Sequence, residues 1–158
     1  MDTIWFKFLP RKVNVFLWRF RLDALPTRWN LSARGIELPT VVCPVCNNGV
    51  ESKDHLFFTC EVASDLWRKV RLWLDCDMHT FLPWDSFISW LEGISLPTSS
   101  KNQVVAIIVT LLWAIWRYRN GLVFNNVFCN LSSLFDIIRL LSFRWIKNRG
   151  HLVSNWNS

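Results

Sequence analysis

Cys43-Pro44-Val45-Cys46, followed by His55 and Cys60, is the stretch that decides how this chain folds. The run reads Cys-x2-Cys-x8-His-x4-Cys and places three thiols and one imidazole within 18 residues. That donor set suits a tetrahedral Zn²⁺ ion, with sulfur–metal distances of about 2.3 Å. Four protein ligands leave no open position for water or substrate, so the expected ion is structural rather than catalytic. Asn47-Asn48-Gly49 can take left-handed backbone angles and turn the chain back, and Pro44 stiffens the first ligand loop. Two other readings compete. The four side chains could be unrelated buried groups, because a free cysteine often acts as a small hydrophobe. Alternatively, Cys76 and His79 could join Cys43 and Cys46. That set closes a loop of about thirty residues, which entropy alone does not forbid, but leaves His55 and Cys60 unused beside a ready-made site. Cys129 has no ligand neighbour in sequence and is expected to be a packed thiol.

Outward from this loop the pattern is helical almost throughout. Lys12–Ala24 carries two apolar stripes, Val13/Phe16/Leu17/Phe20/Ala24 and Val15/Trp18/Leu22, which predicts a helix wedged between neighbours with Trp18 buried. Arg19 falls on the narrow polar arc with Lys12 and Asp23, where an acid or a helix C-terminus is its expected partner. Thr27 can cap a short helix to Arg34, stopped by Gly35. A helical stretch is expected from His55, but five residues on an ideal helix turn Cys60 about 140° away from His55. The helix must therefore start late or break before Cys60. Glu61–Leu74 follows with Leu66, Trp67, Val70, Trp73 and Leu74 inward, and Pro83-Trp84-Asp85 opens another helix to Gly93. Ile94–Lys101, with Pro97 and three hydroxyl residues, is the expected boundary. Beyond it, Asn102–Phe124 is apolar all round until Arg117. Ser133-Leu134-Phe135-Asp136 fits a capping box for a last helix to Arg149, with Gly150 as its stop. Leu134, Ile137, Ile138, Leu141 and Trp145 form its apolar side, and Arg139, Arg144 and Lys147 its opposite arc. The expected fold is mainly α: a helical domain with an inserted zinc-knuckle loop over 1–93 and a C-terminal helical extension over 94–158.

The same residues carry a family resemblance. Trp5, Pro10-x-Lys12-Val13-x-x-Phe16-x-Trp18-Arg19, Leu25-Pro26-Thr27, Asn30-Leu31 and Arg34-Gly35-Ile36 occur in order. Cys43-Pro44-x-Cys46, Glu51-Ser52, His55-Leu56-Phe57, Cys60 and Ala63 through Trp67 follow. Together they resemble the reverse-transcriptase zinc-binding domain of plant LINE-type (non-LTR) retrotransposons, over roughly residues 4–75. Leu112-Trp113-Ala114-Ile115-Trp116-Arg117-x-Arg119-Asn120-x-x-Val123-Phe124 is similar to the segment ahead of ribonuclease H in these polyproteins. The resemblance implies an accessory zinc module associated with nucleic acid, with Cys43, Cys46, His55 and Cys60 as its ligands and no catalytic role on this segment.

Composition narrows the function classes. Half of the 158 residues are hydrophobic and 11 are Trp, enough for a sizeable core. Five Cys with metal-type spacing argue for a reducing, nuclear or cytoplasmic setting. Lys7, Arg11, Lys12 and Arg19 interrupt the apolar N-terminus, which excludes a signal peptide. The Asn-Leu-Ser sequons at Asn30 and Asn130 are accordingly not read as glycosylation sites. Val104–Trp116 spans 13 residues, short of the ~20 needed to cross a bilayer, and is expected to be a buried helix without a membrane partner.

The formal charge of +6 is unevenly spread: +4 over residues 1–42, −3 over 61–100 and +6 over 101–158. It is readable as solvated surface or as two phosphate-binding ends, Lys7, Arg11 and Lys12 at the start and Arg139, Arg144, Lys147 and Arg149 at the finish. Trp5, Trp29 and Trp84 are candidates to stack on unpaired bases. Asp75-x-Asp77, the one close aspartate pair, reads as a solvated turn, and no phosphate loop or nucleophile elbow occurs, so neither catalysis nor a small-molecule substrate is expected. Two functions remain: binding of RNA or single-stranded DNA, or a protein-interaction scaffold that once docked polymerase and ribonuclease H domains through the apolar 104–116 helix.

Overall fold

A computed structural model describes residues 5–75 and 84–147, without the side chains of Trp84 and Asp85. The helices are α1 (Arg11–Arg21), α2 (Arg28–Ala33), α3 (Glu61–Leu74), α4 (Trp84–Gly93), α5 (Thr98–Val123) and α6 (Leu134–Lys147). A π-helical turn, His55–Thr59, precedes α3, and a 3₁₀ turn, Leu131–Ser133, precedes α6. The described residues are mainly α, with one isolated antiparallel bridge between Val42 and Val50. Cys76, Asp77, His79, Pro83, Arg149 and Gly150 lie outside the described residues.

α5 organises the molecule. Its residues 104–112 and 114–116 are all buried, so a helix apolar on every side has found neighbours on every side. By length and composition α5 could cross a membrane, but most of its apolar window is buried within the chain itself. The covered 104–116 run also removes the feature that favoured a lost docking domain. The core around it is aromatic. Phe16 of α1 meets Trp113 edge-on at 5.5 Å, and Phe57 of the π turn lies 6.3 Å from Trp116 and 5.1 Å from Phe20. Phe58 stacks on Trp67 of α3 at 5.6 Å. One hydrophobic cluster therefore crosses the segment 94–101.

Several sequence expectations need correction. Val15, Trp18 and Leu22 are 37%, 46% and 47% exposed, so the second stripe of α1 faces outward. The first stripe packs on α5 and the π turn, and no described element covers the other. α1 also ends early, at Arg21, because Asp23 turns with φ 50°. Trp73 is 42% exposed and only edges against Phe135. The capping box before α6 is not made, because Ser133 belongs to the 3₁₀ turn and its N–H donates to Asn130 O at 3.0 Å, while Asp136 pairs with Arg139. Leu134, Ile138 and Trp145 are buried as expected, but Leu140 and Phe143 share the exposed arc with Arg144 and Lys147. Thr27 does cap α2, accepting from Asn30 N at 3.2 Å, and Gly35 stops the turn with φ 83°.

Asn14 is a polar residue buried inside α1. Its Oδ1 accepts from Phe6 N at 2.9 Å and its Nδ2 donates to Phe6 O and Leu9 O, pinning the segment that leads into the helix. Burying an amide is tolerable here because its bonds are made.

The exposure difference gives a direct test. Trp67→Ala, at a fully packed site, should lower the unfolding free energy by about 3–5 kcal/mol. Trp18→Ala should cost about 1 kcal/mol, the usual size of a substitution effect. Denaturant titrations of the two variants under identical metal loading compare them.

Candidate metal centre

The ligand loop is a tight hairpin followed by a widened turn. Asn47 and Gly49 take positive φ values of 56° and 93°, which reverses the chain after Cys46. Cys43 N then donates to Gly49 O at 2.8 Å and Glu51 N to Val41 O at 2.8 Å, closing the hairpin. A Cβ on Gly49 would lie 3.2 Å from Cε1 of His55, so glycine is needed both for backbone angle and for room beside the imidazole.

His55 starts the π turn, its N donating to Ser52 Oγ at 3.1 Å. Cys60 N donates to His55 O at 2.7 Å, an i→i+5 bond, after which Cys60 leaves the helix with ψ 138° and opens α3. The break expected from helix geometry is thus made by one π turn, a device common at functional positions. Trp67 Nε1 and Ser64 Oγ of α3 hold the turn by donating to Phe57 O at 2.7 Å and Phe58 O at 3.1 Å.

The ligand atoms of Cys43, Cys46, His55 and Cys60 all lie within 4.8 Å of one another. His55 Nε2 is 3.3 Å from Cys46 Sγ, so Nε2 is the nitrogen that faces the cluster. Nδ1 sits 3.4 Å from Thr59 Oγ1, a partner that fixes the ring and, with Nε2 ligating, accepts the Nδ1 proton. Cys43 and Cys60 are buried, and their sulfurs interact: the Cys43 thiol donates to Cys60, a bond that with burial raises the Cys43 pKa and that lowers the Cys60 pKa against the opposing effect of burial. Backbone N–H groups of Val45 and Cys46 point at Cys43 Sγ, and those of Val62 and Ala63 at Cys60 Sγ. Donors aimed at sulfur favour the thiolate, and Cys60 also gains from the N-terminal end of α3. Three thiols and an imidazole, this close and so provided with donors, fit a structural metal ion bonded at about 2.0–2.3 Å after slight contraction.

One functional residue was not recognised from the sequence pattern. Glu51 is fully buried directly after the hairpin. Its carboxylate takes a bidentate pair from Arg119 of α5, Nη2–Oε1 at 2.7 Å and Nε–Oε2 at 2.8 Å. Oε1 also accepts from Arg28 N, at the start of α2, at 2.8 Å, and Glu51 O accepts from Trp29 N at 3.1 Å. The Arg119 guanidinium lies over Trp116 at 4.8 Å. An acid beside a ligand hairpin and an arginine in an apolar helix, 68 positions apart, were the available signals.

The other candidates are not gathered into one site. Lys7, Arg11 and Lys12 are exposed at the start of α1, where Lys12 Nζ lies 5.9 Å from the Trp113 ring. Arg139, Arg144 and Lys147 are exposed on α6, where Arg139 is tied to Asp136 and Lys147 leans on Phe143. Trp5 and Trp29 are 48% and 52% exposed. Arg19 is exposed and lines a cleft with Arg28. Cys129 is half-buried against the core, and burial raises its thiol pKa.

Comparison with known proteins agrees with this geometry. Residues 1–67 match the family described as zinc-binding in reverse transcriptase, and that segment contains all four clustered ligands. A protein of Arabidopsis thaliana named for ribonuclease H is 26% identical over 127 residues. The match covers 79% of this chain but only 20% of that protein. No solved structure matches the chain.

Two measurements follow. The Cys43 thiol holds its proton in the metal-free cluster, so metal capture at neutral pH should release protons, and affinity should fall as pH is lowered. Calorimetry in buffers of different ionisation enthalpy counts them, and Cys43→Ser should abolish tight binding. Separately, Glu51→Gln should destabilise the protein by about 3–5 kcal/mol by leaving Arg119 buried and unpaired. Glu51→Gln with Arg119→Met should recover part of that loss in denaturant melts.

Proposed function

We propose that this chain is a zinc-binding, non-catalytic accessory module derived from the reverse transcriptase of a plant LINE-type retrotransposon, and that it binds RNA or single-stranded DNA. The observation that carries the reading is the convergence of Cys43, Cys46, His55 and Cys60 inside the segment that matches the reverse-transcriptase zinc-binding family. Zinc, held by three thiolates and His55 Nε2, supplies folding energy to a hairpin with little apolar burial of its own. Phosphates are met by Lys7, Arg11, Lys12, Arg139, Arg144, Lys147 and Arg149, of which the described members are exposed. Partners in the same polyprotein are its polymerase or ribonuclease H domains, in keeping with the Arabidopsis relative's name. We place the protein in the nucleus or cytoplasm, and divide its roles between a zinc-bearing part, 1–93, and a helical extension, 94–158.

The uncovered stripe Val15, Trp18 and Leu22 on α1 favours a second reading, a protein-interaction scaffold without nucleic-acid binding of its own. The two readings separate in a salt titration of the zinc-loaded chain with single-stranded oligonucleotides. If Z phosphates are neutralised, log affinity should fall against log salt with a slope of about −0.7Z. Arg144→Glu with Lys147→Glu should flatten the slope and weaken all sequences alike. Absence of binding at low salt with zinc fully loaded favours the scaffold.

A further inference from the structure

Where α5 ends, the chain builds a surface that neither the ligand cluster nor the terminal basic groups use. Phe124 N donates to Asn120 O at 2.9 Å, Asn125 turns with φ 53°, and Asn126 N returns to Gly121 O at 3.0 Å. A Cβ on Gly121 would sit 2.7 Å from Asn126 O, so glycine lets the loop fold flat against the helix end. This closure leaves Phe124 projecting, 69% exposed.

Phe124 stands between two hollows and, with Asn120, lines both. The first, of about 500 Å³, lies toward α2 and is walled by Trp116, Leu31 and Pro39, with Arg19 and Arg28 among its lining. The second, of about 430 Å³, lies toward the loop, with Arg117 and Phe128 in its wall. Arg117 stacks between the Trp113 ring at 5.6 Å and the Phe128 ring at 5.1 Å. Among the described residues no carboxylate lines either hollow, and Glu51, which lies against the lining residue Arg119, is consumed by that pair.

We infer that the C-terminal end of α5 is where an unpaired nucleic-acid strand is held, with successive bases seated on either side of Phe124 and their phosphates met by Arg19, Arg28 and Arg117. The inference rests on the nucleic-acid binding proposed above and gives it a place distinct from the terminal basic groups. An exposed ring between a mainly apolar hollow and a mainly polar one suits any base, because every base has a π face, and the arginines, of which Arg28 also donates Nη1 to Val42 O at 2.7 Å, complement phosphate rather than a neutral or basic peptide. The arrangement does not suit a duplex, whose bases are already stacked.

The test compares the zinc-loaded full chain with a single strand of thymidines, an abasic strand of the same length and a duplex, by fluorescence anisotropy. Wild type should prefer the thymidine strand over the abasic one by about tenfold or more, the scale of one lost base–aromatic stack. Phe124→Ala should remove most of that preference without changing abasic binding, and Phe124→Trp should keep it. A 4-thiothymidine strand should cross-link within residues 117–128. Because Phe124 is largely exposed, the alanine variant should keep the wild-type melting temperature. If thymidine and abasic strands bind wild type equally, or Phe124→Ala retains the preference, the inference falls while nucleic-acid binding stands. If wild type binds neither strand at low salt, both fall.

Discussion

A carboxylate with no solvent contact must be paired, and three separate segments of this protein meet in satisfying Glu51. Arg119 meets both of its oxygens, and the first turn of α2 spends a backbone N–H on the same group. Three pieces of chain thereby acquire a fixed relation: the end of the ligand hairpin, the start of α2 and the middle of α5's last turns. Buried ion pairs are poor evidence of net stability, since desolvation offsets most of the attraction. What this pair has is a defined geometry. A hydrophobic contact would let the hairpin slide over α5, whereas a bidentate fork has one seat.

The metal-ligand set was legible because it is local. Its spacing, the reversal at Asn47-Asn48-Gly49 and the break forced between His55 and Cys60 all follow from chain geometry within 18 residues. Helix existence was equally readable from period and caps, as Thr27 and Gly35 illustrate. The failures lie where tertiary neighbours decide. Periodicity showed that α1 has two apolar stripes but could not say that only one has a partner, so Trp18 was placed inside. A capping box reads two residues at a time and misses that Ser133 is already taken up by the 3₁₀ turn through its bond to Asn130. Glu51 and Arg119 could not be joined by inspection, since nothing in sequence marks two charges 68 positions apart as mates.

α5 explains why a boundary visible in composition is not a boundary in packing. The Pro97-Thr98-Ser99-Ser100 stretch itself forms the cap and first residues of α5, and Trp113 and Trp116 further along the same helix complete the aromatic layer begun by Phe16, Phe20 and Phe57. The metal hairpin sits on that layer through Phe57 and Phe58, two of the four residues that lie between His55 and Cys60. Ion capture and core formation therefore share a five-residue turn, so loosening either one is felt by the other.

The long reach of Glu51 to Arg119 also sets an order of events while the chain is being made. All four metal ligands have been synthesised by residue 60, so the hairpin can close around an ion early. Its acid then waits for Arg119, 68 positions beyond Glu51 and 59 beyond Cys60, roughly 3–12 s of synthesis at about 5–20 residues per second. Through that interval the bidentate pair that seats the hairpin on α5 cannot form. Seating on α5 comes last, after the partners of Phe57 and Phe58 on α1 are already in the chain.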